Sequence, residues 1–336
     1  MLKDQLRLQQ PVVYQALENA VKNHRVSGAY LFSGPYGTMK KEAAILLAQS
    51  IFCEKQDGLA CEECENCRRV REGLYGDLIM LDGKQKAVSK EDVDAIQLKF
   101  SQTALEKGNG ERVYIIENCE NASISAMNAM LKFLEEPGSG VTAILTTDNI
   151  MRLLPTIVSR CSLLPFTPRG PLSYKADAAA LGCSEEEAFF LARTARTQED
   201  MRQLKESGVY DKALLMFRQL MNLDGMEKDE LLVDYEVSYR AQDSDAAEAK
   251  KKNIALLGMF LNLVSAFAED VITGCKEGPA WYVQALENAP HDEIFWGKMI
   301  MIVCSQKDRV NRFNDLNLVM YQTFRKMEEL EYEFRR

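Results

Sequence analysis

The stretch FSGPYGTMKKEAA, Phe32–Ala44, decides how this chain is read. It follows the apolar run AYLF and leads into KKEAAILLAQSIF, a strand, a glycine loop and a helix in succession. A phosphate-binding loop reads glycine, four residues, glycine, lysine, then serine or threonine. Gly34 and Lys40 stand in their places, but Met39 replaces the second glycine and Lys41 the hydroxyl residue. That glycine normally lets backbone N–H groups approach the phosphates, and the hydroxyl normally ligates magnesium. Gly34, Gly37 and Lys40 are therefore candidates for a degenerate nucleotide site, and Lys41 is placed to repel a cation. ATP and Mg2+ are not expected to bind there productively.

Two later passages bear on the same question. Nucleotide hydrolases of this architecture carry an aspartate for magnesium and a glutamate that activates water, just after an apolar strand. VYIIENCENAS supplies Glu117 and then Asn118, and an amide has no useful basicity near neutral pH. No ATP hydrolysis by the chain alone is expected. TTDNIMRLLPTIVSRCSLLPF places Asn149 at a strand end, a further candidate for the degenerate nucleotide site, and Arg160 in a Ser-Arg-Cys triplet. An exposed arginine at a domain edge can reach into a neighbouring subunit and stabilise transition-state charge. Taken alone, Arg160 also reads as a surface or structural arginine.

The first half alternates two periods. Short apolar runs at 29–34, 78–81, 113–117, 142–147 and 162–166 are separated by helix-like segments. Ser89 and Asp92 resemble a capping box ahead of Val93, Ile96 and Phe100. A helix is expected from about Ser123 to Glu136, with Ile124, Met127, Met130, Leu131 and Leu134 on one side and Pro137 as its stop. Strands alternating with helices predict a parallel sheet covered on both faces. After FTPRGPLS, 166–173, rich in proline and glycine, only helical spacing continues. The fold class expected is α/β followed by all-α.

The chain has 336 residues and a net charge of −9, with 46% hydrophobic residues. That supports a sizeable core in two or three domains and argues against binding nucleic acid by bulk electrostatics, while leaving room for a local basic face. MLKDQLRLQQPVVYQ lacks the apolar centre of a signal peptide. The apolar stretch IALLGMFLNLVSAFA, 254–268, is too short for a bilayer and reads as a buried core helix. A soluble, cytoplasmic protein without a membrane role is expected.

CEKQDGLACEECENC spaces Cys53, Cys61, Cys64 and Cys67 as C-x7-C-x2-C-x2-C. Four thiolates bind zinc tetrahedrally and leave no open position, so the expected metal is structural Zn2+. Spacing alone leaves an iron–sulfur cluster as the alternative. Cys119, Cys161, Cys183, Cys275 and Cys304 are scattered and read as buried or inert thiols, and His24 and His291 have no evident partners.

Together, QQPVVYQALENAVKNHRVSGAYLFSGPYGTMKK, the four-cysteine insertion, NASISAMNAMLKFLEEP and TTDNIMRLLPTIVSRC resemble the clamp-loader subunits of bacterial DNA polymerase III. The similarity is strong over about 8–168 and weaker beyond, where VNRFNDLNLVMYQTF resembles an asparagine-containing collar helix. The resemblance implies an AAA+ nucleotide-binding-like domain with a zinc insertion (1–167, insertion 53–67), a helical lid (168–208) and a helical collar (209–336). Within the family, a retained zinc site and Ser-Arg-Cys with eroded ATPase motifs follow the delta-prime pattern rather than gamma/tau. Implied partners are gamma/tau and delta subunits in a heteropentamer that loads the sliding clamp onto primer–template DNA, a DNA-directed DNA polymerase as the assembled complex. Arg160 would act in trans as an arginine finger toward a gamma/tau neighbour. The acidic balance fits a subunit whose partners supply more of the DNA contacts. An active gamma/tau-like ATPase and a zinc-containing nucleic-acid-binding module are the competing readings.

Overall fold

The computed structural model describes residues 1–84, 86–101, 110–135, 138, 140–221, 228–240, 244–289, 292–312 and 315–334. The expected stop at Pro137, His291, and Phe313 and Asn314 of the collar-like stretch lie outside them. The chain divides into two compact units, Met1–Arg169 and Gly170–Arg336.

All five apolar runs of the first unit are strands: β1 (Ala29–Ser33), β2 (Leu78–Asp82), β3 (Arg112–Glu117), β4 (Val141–Thr147) and β5 (Ser162–Pro165). They form one sheet in the order β2-β3-β4-β1-β5, every pairing parallel. Along β1, Tyr30 and Phe32 enter one apolar cluster while Ala29 and Leu31 enter another. Successive side chains point to opposite faces, so burial on both faces makes the run continuously apolar rather than alternating.

One cluster is closed by α1 (Leu2–Gln9), α2 (Pro11–Lys22), α3 (Lys40–Phe52) and α4 (Glu65–Arg71) through Leu6, Val13, Leu17, Leu46, Leu47 and Val70. The other is closed by α5 (Lys90–Ser101) and α6 (Ile124–Glu135) through Val93, Ile96, Phe100, Met127, Met130 and Leu134. Ahead of α5, Ser89 N–H donates to Asp92 Oδ2 at 2.9 Å and Asp92 N–H to Ser89 Oγ at 3.2 Å, the reciprocal cap expected there. Ile124 departs from the expected apolar face: it is 73% exposed. It opens α6, and a side chain in the first turn leans toward the helix start, beyond the sheet-packed surface. A short helix, α7 (Pro155–Val158), precedes β5.

The second unit, among its described residues, contains no strand. It comprises α8 (Pro171–Ala180), α9 (Glu185–Thr194), α10 (Gln198–Glu206), α11 (Val209–Met221), α12 (Lys228–Asp234), α13 (Ala246–Thr273), α14 (Ala280–Glu287), α15 (Glu293–Arg312) and α16 (Leu316–Phe334). One core cluster runs from Tyr174 to Leu330, drawing on both the 168–208 and 209–336 segments. The stretch 254–268 lies inside the 28-residue α13, longer than its apolar part and long and apolar enough to cross a membrane. Leu256, Leu257, Phe260, Leu261, Val264 and Phe267 are nevertheless buried within the unit, as expected of a core helix.

Candidate functional site

Parallel strands place their carboxyl ends on one edge, where α/β proteins bind ligands. At this edge the loop after β1, Glu117 at the end of β3 with Asn118 after it, and Asp148 and Asn149 after β4 come together. The glycine loop keeps the bent backbone of a phosphate cradle, with Gly37 at φ 81° and Met39 at φ 61°. Methionine thus occupies a left-handed position that glycine takes without strain. Gly34 has a reason of its own to remain: a Cβ there would lie 2.4 Å from the Phe166 carbonyl oxygen.

The cradle is filled by its own side chains. Lys40 Nζ donates to the carbonyls of Gly34 at 2.6 Å and Pro35 at 2.7 Å, lies 3.2 Å from Thr38 Oγ1 and pairs with Asp148 Oδ1 at 2.9 Å. An ammonium has three protons, so these acceptors use all of them. Lys40 is buried, and a phosphate would have to displace its present partners. Lys41 Nζ meets Glu117 Oε1 at 2.9 Å, an ammonium standing beside the carboxylate that would otherwise face a divalent ion. Burial pushes the Glu117 carboxyl above its ordinary range, with Lys41 pulling the other way. Desolvation opposes charge on half-exposed Lys41, but Glu117, with Asp82 and Glu42, raises its pKa above the usual lysine value. Asn118 Nδ2 donates to Asp148 Oδ2 at 3.0 Å, and Asp148 N–H donates to Glu120 Oε1 at 2.9 Å. Asn149 instead caps the turn after β4, its Oδ1 accepting from Met151 N–H at 3.0 Å. The hub after β4 is therefore Asp148, one residue earlier than the position singled out from sequence.

At the far end of α3, about 20 Å away at 1.5 Å per residue, the four cysteines converge. Their sulfurs all lie within 4.8 Å of one another, with Cys61 Sγ and Cys67 Sγ at 3.9 Å. A tetrahedral ion with bonds of about 2.3 Å separates its sulfurs by about 3.8 Å, so the donor set fits zinc. Against burial, the Glu63 and Cys64 amides bring the Cys61 thiol down to about 6, toward the thiolate a metal needs. Burial pushes the Cys67 thiol up. Of the scattered cysteines Cys119 is buried as expected, whereas Cys304 is exposed.

Arg160 is exposed, just past α7. Its Nη1 donates to the Thr156 carbonyl at 2.9 Å, and its Nη2 pairs with Glu135 at the end of α6. Neither Asp148 nor Glu135 has a sequence signature; each is found only through its partner in space.

Residues 9–170 match the family profile described as DNA polymerase III, delta subunit. The chain is 42% identical to DNA polymerase III subunit delta' of Bacillus subtilis over 162 residues, 48% of this chain and 49% of that protein. It is 37% identical to subunit tau of the same organism over 160 residues, 46% of this chain and 27% of that protein. The match thus spans about half the length of the delta' relative and about a quarter of tau. Among solved structures, a gamma subunit-related protein of Thermotoga maritima aligns over 94% of this chain and 98% of its own, at 15% identity and a TM-score of 0.41.

Proposed function

We propose that this protein, whose first half matches the DNA polymerase III delta-subunit profile and is similar to a delta-prime subunit, works as a delta-prime clamp-loader subunit. In that role it makes no ATP turnover of its own and assists an assembly that places a sliding clamp on primer–template DNA. The observation that carries the reading is the contrast between two sites. Lys40 and Lys41 are engaged by Gly34, Pro35, Asp148 and Glu117, and Asn118 stands where a base is needed. Arg160, by contrast, is exposed, and among the described residues its contacts are a surface pair with Glu135, the Thr156 carbonyl and a long contact to Ser159 Oγ.

A surface ion pair is worth at most about 1 kcal/mol, so Glu135 can yield the guanidinium to a stronger anion. A gamma/tau neighbour's bound nucleotide is the anion this reading assigns to it, in a heteropentamer completed by a delta subunit. Cys53, Cys61, Cys64 and Cys67 would hold a structural Zn2+, leaving no open coordination position for chemistry. The acidic balance, −9 overall, suits a member that leaves most DNA contact to its neighbours, and the cytoplasm is the assigned location. The lid and collar division of 168–208 and 209–336 belongs to the same proposal.

Co-purification with gamma/tau and delta subunits tests it. A stoichiometric complex that loads the clamp, together with no ATP turnover by the isolated chain, is the expected result. Failure to enter the complex, or sustained turnover by the chain alone, overturns it.

A further inference from the structure

Glu62 lies between two of the four cysteines, in Cys61-Glu-Glu-Cys64, and is 5% exposed despite its charge. Its backbone is left-handed, at φ 62°, a conformation that a residue with a side chain adopts only under strain. A buried carboxylate in a strained turn needs partners, and both of its oxygens have one. Oε2 accepts from the Leu2 amide at 2.7 Å and Oε1 from the Lys3 amide at 2.9 Å. These are the first two amides of α1, which Met1 caps with no side-chain bond of its own. The first amides of a helix have no partner within the helix, and a carboxylate there also meets the positive end of the helix dipole. Arg71 completes the arrangement from α4: its Nη2 donates to the Glu62 carbonyl at 2.9 Å and lies 3.7 Å from Oε2.

Apolar packing follows the same path. Leu6 of α1 is buried in the cluster that also contains Cys53, Leu59, Ala60, Cys67 and Val70. The start of the chain therefore rests on the cysteine loop through a two-point charged cap and through shared core.

We propose that metal binding by the cysteine loop fixes helix α1, with Glu62 as the coupling residue. Metal bonding and folding are one process at four-thiolate sites, because the ligand geometry is not held without the ion. Cys61 and Cys64 set the turn that forces Glu62 into its left-handed backbone and aims its carboxylate at Leu2 and Lys3. Loss of the metal releases that turn, and the capped end of α1 loses its acceptor.

The test is hydrogen exchange of the α1 amides in the full chain, with zinc content measured in parallel. Removing zinc with a chelator is expected to speed exchange in α1 by about tenfold or more, as the charged hydrogen bonds at its first two amides are lost. Glu62→Gly is the informative variant, since glycine accepts φ 62° without strain and leaves the four cysteines intact. It should keep its zinc, show the same fast exchange in α1, and respond little further to chelator. If Glu62→Gly does not hold zinc, Arg71→Ala, which leaves the cysteine loop's own residues unchanged, replaces it with the same expectation at smaller size. Unchanged α1 protection after zinc removal, or in a zinc-loaded variant without the carboxylate, overturns the proposal.

Discussion

Lys41 shows how one substitution changes the chemistry of a site while leaving its backbone in place. The residue expected to repel a cation is itself the cation beside Glu117. Replacing it with methionine leaves a buried carboxylate without its partner. Breaking buried pairs costs about 3–5 kcal/mol, but Lys41 is half exposed, so a loss of about 1–2 kcal/mol at pH 7 is expected. The pH dependence has a definite sign. Glu117 already titrates above its ordinary 4.5 in the folded chain, so the folded state holds the proton more tightly than the unfolded one. Removing Lys41 widens that difference, and stability lost by Lys41→Met should return as pH falls from 7 toward 5. Urea melts of both proteins across that range check it; a pH-independent difference would detach Lys41 from Glu117. The cysteines give a second residue-level expectation. Elemental analysis should find about one zinc per chain, and Cys64→Ser should lose it and destabilise the 53–67 loop.

At the scale of elements, the glycine loop is held by what packs on it. Phe166, just past β5, donates its N–H to the Ser33 carbonyl at 2.7 Å and sets its ring 5.3 Å from that of Phe32. Its backbone thereby crosses directly over Gly34, where a Cβ would fall 2.4 Å from the carbonyl oxygen and 2.8 Å from Phe166 Cβ. Gly34→Ala should therefore cost about 1–3 kcal/mol by forcing the end of β5 away from β1. Thermal unfolding measures it, and since no ligand is involved the loss should be the same with or without added nucleotide. The glycine that looks like a relic of phosphate binding is required by the strand beside it. Helix α3 joins this loop to the cysteine cluster, beginning at Lys40 and ending at Phe52 beside Cys53.

At the scale of the whole molecule, the proposed delta-prime role predicts that Arg160→Ala leaves metal content and assembly with gamma/tau and delta unchanged while lowering clamp- and DNA-stimulated ATPase of that reconstituted complex. Arginine fingers are worth about 10³–10⁵ in rate elsewhere, and a loader with several nucleotide sites should lose less than that from one. Lysine should rescue poorly, because it lacks the planar fork that matches phosphate oxygens. Unchanged ATPase in a complex verified by gel filtration would leave Arg160 as the partner of Glu135 and nothing more.

Much of this protein was legible in its residues alone. The five apolar runs are the five strands, because burial on both faces of a parallel sheet writes itself as continuous hydrophobicity. The cysteine spacing announced a four-cysteine cluster that could hold a metal, because residues joined by tight turns are close in sequence. Met39, Lys41 and Asn118 raised the expectation of a site without ATP turnover, on which the proposed function builds. The partners of those residues were not legible. Lys40 with Asp148, Lys41 with Glu117, and Glu62 with the start of α1 are contacts between distant parts of the chain, the last separated by 60 positions. Only the order β2-β3-β4-β1-β5 brings the ends of β1, β3 and β4 to one edge, and only there do the lysines find Asp148 and Glu117. Local patterning records which surfaces are buried and which ligands sit close together. Which charge neutralises which is decided by distances that exist only once the sheet has formed.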